Sequence, residues 1–272
     1  MKRTTITLLI LAISVTSNVF SEVILDGTMN PDFKGALPLD NDTIEIKAAY
    51  GKISDHNLYH SFSKFSINTN EIASFTGPDH INNIISRVTG MEPSIIDGTL
   101  RSEISGANLY LLNPAGIVFG ENAVLDIQGS FHISTADYLV MQNSDRFDIL
   151  ASEPMLSTSA PETFGFLDDN LAQPIEKIEI NGSYLELYEG QTMSIIGGDI
   201  EISNSTLVVY EGRINIFGVQ SAGEITLLDS GIDSTENIKR GNITISDFSS
   251  IDVSTWVTSS SGDLLFLEMN FH

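Results

Sequence analysis

His56 and His60 stand four residues apart with Asp55 beside the first, a spacing that on a helix sets two imidazoles over one metal ion. No Glu follows His56, and the flanking residues read as strand. Positions four apart on a strand share a face but lie too far from one another to grip a single cation. Both histidines are therefore read as structural. His80 and His132 are isolated, and neither sits by a serine or cysteine in a nucleophile setting. The chain carries no G-x-S-x-G, Walker loop, dinucleotide fingerprint or zinc spacing. Carboxylates remain. Asp168-Asp169, Asp199, Glu201, Asp229 and Asp233 could line an outer face for acid/base cleavage of a polysaccharide or for calcium. No Arg or Lys cluster accompanies them to neutralise a uronate, so they read as solvated edges. Neither enzymatic activity, a cofactor nor a resident metal is expected.

The elements that would position any site are strands. Leu112-Asn113-Pro114-Ala115-Gly116-Ile117 has the residue order of a type I β-turn: Asn bonds back to the backbone, Pro presets φ and Gly relieves the exit. Apolar β-rich segments flank it, Ala107 to Leu112 before and Ile117 to Phe119 after. Ile117, Val124, Phe131 and Tyr138 then follow in steps of seven. Gly120, Gly129 and the β-branched residues break any coiled coil, so short strands with tight turns are expected. The beat breaks between Gln142 and Pro174, where Pro154, Pro161 and Ser157-Thr158-Ser159 mark an excursion. It returns with strand starts at 178, 185, 192, 199, 206 and 213. Ile178-Glu179-Ile180 and Ile200-Glu201-Ile202 alternate, which predicts one buried and one wet side. Three such strands make a coil of about twenty-one residues, the scale of a solenoid repeat. The expected fold is all-β, a right-handed parallel β-helix of three strands per coil with an N-terminal β cap and extra-helical hairpins. An antiparallel two-sheet sandwich is the competing arrangement. Further strands are expected at Asn82 to Val88, Glu224 to Leu228, Asn242 to Ile245 and Ser250 to Val253.

Composition narrows the function. The 272 residues carry 13 basic and 36 acidic side chains, net charge −23, which repels phosphate backbones and argues against nucleic-acid binding. The acidic balance leaves room for weak calcium binding, although no D-x-D-x-D-G loop is present. The absence of cysteine suits a chain that crosses a membrane unfolded. Met1-Lys2-Arg3 followed by the apolar run Ile6 to Val15 reads as a signal peptide, residues 1–21, cut after Ser21 with Ser17 as the alternative. Its apolar core is too short for a stable membrane span.

Several blocks in order resemble the secretion domain of filamentous-haemagglutinin-like exoproteins of two-partner secretion. Asn113-Pro114-Ala115-Gly116-Ile117 is similar to that family's Asn-Pro-Asn-Gly-Ile motif, with Ala115 in place of Asn. Asn57 to Phe62, Asn83 to Gly90, Ile96 to Arg101, Gly129 to Phe131 and Ser134 to Asp137 complete the series. The family's short Asn-Pro-Asn-Leu motif is not evident, though Asn68-Thr69-Asn70-Glu71 occupies a comparable place. The resemblance implies a secretion (haemagglutination activity) domain over 22–165 and continuing coils over 166–272. It implies that Asn113 to Ile117 serves recognition by an outer-membrane POTRA-containing β-barrel transporter, together with early folding. It also implies export by the Sec machinery through the periplasm to the surface of a Gram-negative bacterium. An adhesin-like role toward host or surface glycans or proteins follows from the resemblance alone. A secreted β-helix polysaccharide lyase or hydrolase, and a truncated adhesin fragment, stand as alternatives. Trp256, Phe266 and Phe271 are expected to cover the last coil.

Overall fold

The computed structural model describes residues 20–167 and 174–254. Its three-sided core follows from the alternation of the strands. Leu58, Ile84, Leu109, Phe131, Met193 and Ile214 align as successive lateral partners in one column of parallel strands. On the second side Ile117, Ile178, Ile200 and Ile243 do the same. Each such buried apolar side chain contributes about 1.5–3 kcal/mol relative to exposure. One continuous cluster of Ile, Leu, Val and Phe fills the tube from Val23 to Val209.

The first side stacks Asn57–Phe65, Asn83–Val88, Asn108–Leu112, Phe131–Ser134, Thr192–Gly197 and Arg213–Gly218. The second stacks Ser94–Ile96, Ile117–Phe119, Ile178–Asn181, Ile200–Ser203 and Ile243–Ser246. The third is in two pieces: Thr43–Lys47, Ile72–Thr76, Thr99–Ser102 and Val124–Asp126, then Tyr184–Glu186, Thr206–Val208 and Ser250–Asp252. Pairing along all three sides is parallel, which rules out the sandwich. Thr192 lies twenty-one residues before Arg213, its lateral partner. The chain is a right-handed parallel β-helix, the hand that parallel crossings adopt. At its N-terminal end Phe20–Leu25 pairs antiparallel with both Gly35–Pro38 and Asn57–Phe65, sealing the exposed edge of the first coil.

Two excursions leave the same corner, between the first and second sides, two coils apart. Tyr138–Met141, Arg146–Asp148 and Pro161–Phe166 from the first join Gly223–Leu228 and Gly231–Ser234 from the second in one five-stranded antiparallel sheet. The strand starting at Tyr138 keeps the seven-residue beat yet lies outside the helix, so the excursion begins one strand earlier than the break at Gln142. Tyr138 belongs there because its ring packs over Gly165 and under the Arg146 guanidinium at 3.7 Å, and its hydroxyl donates to Glu224 at 3.0 Å. Gly223–Leu228, expected as a coil strand, likewise belongs to this sheet.

That sheet covers the outer surface of the first side. Tyr59, Ile85, Leu112, Ile196 and Phe217 pack against Leu139, Phe147, Phe164 and Ile225. The alternation of wet and dry therefore fails on this side, where Asn83–Val88 is buried at every position. Polar groups on the doubly covered surface pair among themselves. Asn57, Asn83 and Asn108 form a ladder, Asn108 donating to Asn83 at 3.2 Å and Asn83 to Asn57 at 2.9 Å. Asn57 and Tyr59 donate onward to the Ser157 carbonyl of the excursion. Asn83→Ala leaves the Asn57 carbonyl oxygen and the Asn108 amide unmet, an expected loss of about 1–3 kcal/mol in urea unfolding. A loss under half of that would show the ladder to be replaceable by water.

Candidate functional site

Asn113 is fully buried, an unusual place for a turn residue, and every polar group of its amide is used. Its Oδ1 accepts from the Ala115 N–H at 2.9 Å, and the Gly116 N–H closes the turn on the Asn113 carbonyl at 3.0 Å. Its Nδ2 donates to the Glu92 carbonyl at 3.1 Å and to Ser94 Oγ at 3.0 Å, in the coil below. Gly116 takes φ +109, open to glycine and strained for other residues. Pro114 and Ala115 are half-buried and Ile117 is fully buried in the core. The turn chemistry expected from Asn, Pro and Gly is thus realised, with one addition. The motif is welded to its neighbours rather than displayed.

The neighbour above is the neck of the first excursion. The Asn113 N–H donates to the Ser134 carbonyl at 3.0 Å, where the chain leaves the helix. The Ile117 N–H donates to the Lys177 carbonyl at 3.3 Å, where it returns. The turn therefore spans and fixes the gap between the two ends of a long inserted segment, whose closure otherwise costs entropy. Asp199 does the same for the second excursion, accepting from Gln220 Nε2 and the Asn242 N–H, each at 2.8 Å. Asn113→Ala strands the Ser94 hydroxyl and the Glu92 carbonyl, an expected loss of about 1–3 kcal/mol by thermal or urea unfolding. Amide exchange at Asn113 and Ile117, whose N–H groups donate to the Ser134 and Lys177 carbonyls, should rise with it; unchanged exchange there would refute the neck clamp.

The other sequence candidates are scattered. Asn68-Thr69-Asn70-Glu71 forms a turn, exposed at its first three residues, tied by Asn68 Nδ2 to Glu71 at 3.1 Å. Thr69 donates to Asp97, which also accepts from Asn122, joining three successive coils at one corner. His56 is exposed with Nδ1 on the His80 carbonyl at 2.6 Å, whereas His60 is buried between Phe62 and Phe75. The two imidazoles do not share a site. His132 is not isolated after all: it stacks on Tyr110 at 4.4 Å and pairs with Ser194 Oγ at 3.0 Å. Burial pushes the imidazoles of His60 down to about 4 and His132 to about 3, so both stay neutral. Glu201 pairs with Lys177 on the second side, and Asp229 and Asp233 lie around the second excursion's hairpin. Ser21 lies in the first described strand; Ser17, Asp168-Asp169, Trp256, Phe266 and Phe271 lie outside the described residues.

Arg87 is the buried group that sequence reasoning passed over. It is fully buried, donating from Nε to Ser61 Oγ at 2.8 Å, from Nη1 to the Asp148 carbonyl at 2.8 Å and from Nη2 to Thr28 Oγ1 at 3.2 Å. Ser61 and Thr89 donate to Asp26 at 2.6 and 2.9 Å. Burial alone would raise the Asp26 carboxyl, but hydrogen bonds from Ser61, Thr28 and Thr89 hold it below the usual range. Cap, coils and excursion meet at this one guanidinium. Arg87 sits in a segment that otherwise reads as apolar strand, and that contrast was the available signal.

A capped parallel β-helix built around a buried Asn-Pro-x-Gly corner defines a solenoid module. The family model of the TPS secretion domain matches residues 23–265, and the chain belongs to that family, proteins exported by two-partner secretion systems of Gram-negative bacteria. The secretion domain of HMW1 from Haemophilus influenzae has a similar fold, with TM-score 0.50 and 20% identity. That match covers 78% of this chain and 53% of the other, so the chain spans about half the length of the structure it resembles. No curated protein matches the chain.

Proposed function

We propose that the chain is the recognition and folding module of a two-partner pair. Sec delivers it to the periplasm by a leader cut after Ser21. The POTRA domains of an outer-membrane β-barrel then read Asn113 to Ile117 in the unfolded chain. Complete use of the Asn113 amide inside the folded stack supports this order, because a partner cannot reach those groups once the coils have closed. An extended strand-turn-strand can add to a receptor sheet edge by β-augmentation. Outside, each finished coil offers an edge and an apolar floor to the next, so folding draws the chain outward. Residues 22–165 serve recognition and 166–272 extend the solenoid. The mature protein acts at the surface as a non-enzymatic, adhesin-like exoprotein.

Secretion into the medium from cells carrying the cognate barrel tests this. Asn113→Ala should abolish release, whereas Ser94→Ala, which loosens the same folded corner but leaves the motif intact, should not. Equal loss in both variants would mean that the corner matters only for stability, and the recognition reading would fall.

A further inference from the structure

The third side of the helix is broken where Val124–Asp126 meets Tyr184–Glu186. Among the described residues, Val124–Asp126 pairs only with Thr99–Ser102 below it, and Tyr184–Glu186 pairs only with Thr206–Val208 above. The same two coils are joined in register on the second side, Ile117 opposite Ile178. A groove of ≈ 520 Å³ opens at this break, lined among others by Asn70, Glu121, Asn122, Val124, Tyr184 and Glu186. We propose that the groove binds a neutral or amino sugar. This deepens the adhesive part of the proposed function; the export reading does not depend on it.

The lining carries the chemistry. Tyr184 is 54% exposed, a large ring left open to solvent at the groove wall. The Glu186 carboxylate stands beside its hydroxyl. An exposed aromatic face is a platform for the apolar C–H face of a pyranose. Around it stand acceptors and amides suited to vicinal hydroxyls. Asn122 is immobilised by its backbone N–H and its side chain on Asp97, at 3.1 to 3.2 Å. Asn70 is presented from a left-handed turn residue, φ +69. The volume falls within the range of small-ligand sites, about 300–1,000 Å³.

Charge selects the class of sugar. Glu121 and Glu186 are the charged side chains of the lining, and neither Lys nor Arg is among them. Net charge −23 adds a repulsive field for sialic or uronic acids and an attractive one for an ammonium group. A peptide strand fits less well. The facing strands are three residues long, and Gly182 closes one end against Glu121, where an added Cβ would lie 3.1 Å from the Glu121 Cβ. Ser183 Oγ fastens that end to the Gly120 carbonyl at 2.7 Å.

The test uses the folded full-length mature chain and an array of immobilised neutral, amino, sialylated and uronate oligosaccharides, followed by titration. Neutral or amino sugars should be retained and acidic ones not. Tyr184→Ala should weaken retention by about tenfold or more with unfolding temperature unchanged, since the ring lies at the surface. Glu121→Gln should lower amino-sugar binding more than neutral-sugar binding. Retention of no sugar, preference for acidic sugars, or binding indifferent to Tyr184→Ala would each overturn the proposal. So would selective capture of extended peptides at the groove. Secretion by the same variants is read in parallel: normal export with no sugar binding defeats the groove alone, whereas failed export of the Asn113 and Ser94 variants alike bears on the transporter reading.

Discussion

Arg87→Met is expected to lower the unfolding free energy by about 3–5 kcal/mol, the usual cost of removing one member of a buried charged network. Methionine keeps an apolar stem beside Phe147, over whose ring the guanidinium lies at 5.5 Å. It removes three hydrogen bonds at once, those to Ser61, Thr28 and the Asp148 carbonyl. Asp26 then keeps its charge in a part-buried site without its cationic counterweight. The midpoint in urea should fall by about 1–2 M. A double variant with Asp26→Asn should recover a large share of the loss, because the stranded charge is gone. The damage should also be spatially specific, with exchange rising in Arg146–Asp148 and around Thr28, the two pieces that Arg87 ties to the coils. A single variant within about 1 kcal/mol of the parent would mean that the network is incidental.

Acidification is expected to destabilise the fold steeply below pH 6.5, through His60 and His132. In the native state burial lowers their pKa values to about 4 and about 3, from 6.5 when unfolded. Between these values the unfolded chain binds more protons than the native one, so stability falls as pH falls. At pH 4.5 each imidazole accounts for about 2–3 kcal/mol, together about 5 kcal/mol relative to neutral pH. The geometry explains why neither accepts a proton readily. His60 Nε2 already faces the Lys47 carbonyl at 3.2 Å, and its Nδ1 has no partner among the described residues. His132 is stacked on Tyr110 beneath the excursion sheet. Carboxylates held low, Asp26 among them, lose their contribution only as pH drops below about 3.8. Urea unfolding at pH 7 and 4.5 measures the effect. His132→Phe should remove one of the two protons from the slope and His60→Leu the other. A free energy that stays level from pH 6.5 to 4.5 would contradict the burial of both rings.

Much of the helix was legible because its rule is local. Ile178, Thr192, Thr206 and Arg213 begin strands where the seven-residue beat places them, and the strands expected at 185 and 199 begin one residue away, at Tyr184 and Ile200. The beat works because a strand and a tight corner together use nearly constant length. Asn82 to Val88, expected as a strand, is one over Asn83–Val88. The corner at Asn113 was equally legible, since Asn, Pro and Gly act on their own backbone. The covering sheet was not. Tyr138 and Glu224 look like any other strand residues, and only contact between segments 86 residues apart assigns them to one sheet.

The sequence by itself determined the unit: short strands, apolar inward, turning at Gly, Asn and Pro, and hence a parallel spiral with the motif at a corner. These are consequences of φ restrictions and period-two alternation, which act within a few residues. Tertiary structure alone decided which coil surface is dry on both sides, why Arg87 and two histidines are buried, and that the Asn113 turn holds the neck of an excursion. It also decided that the third side opens between Val124 and Tyr184. Such outcomes depend on which distant edges meet, and a partner's identity is not encoded in the periodicity of either strand.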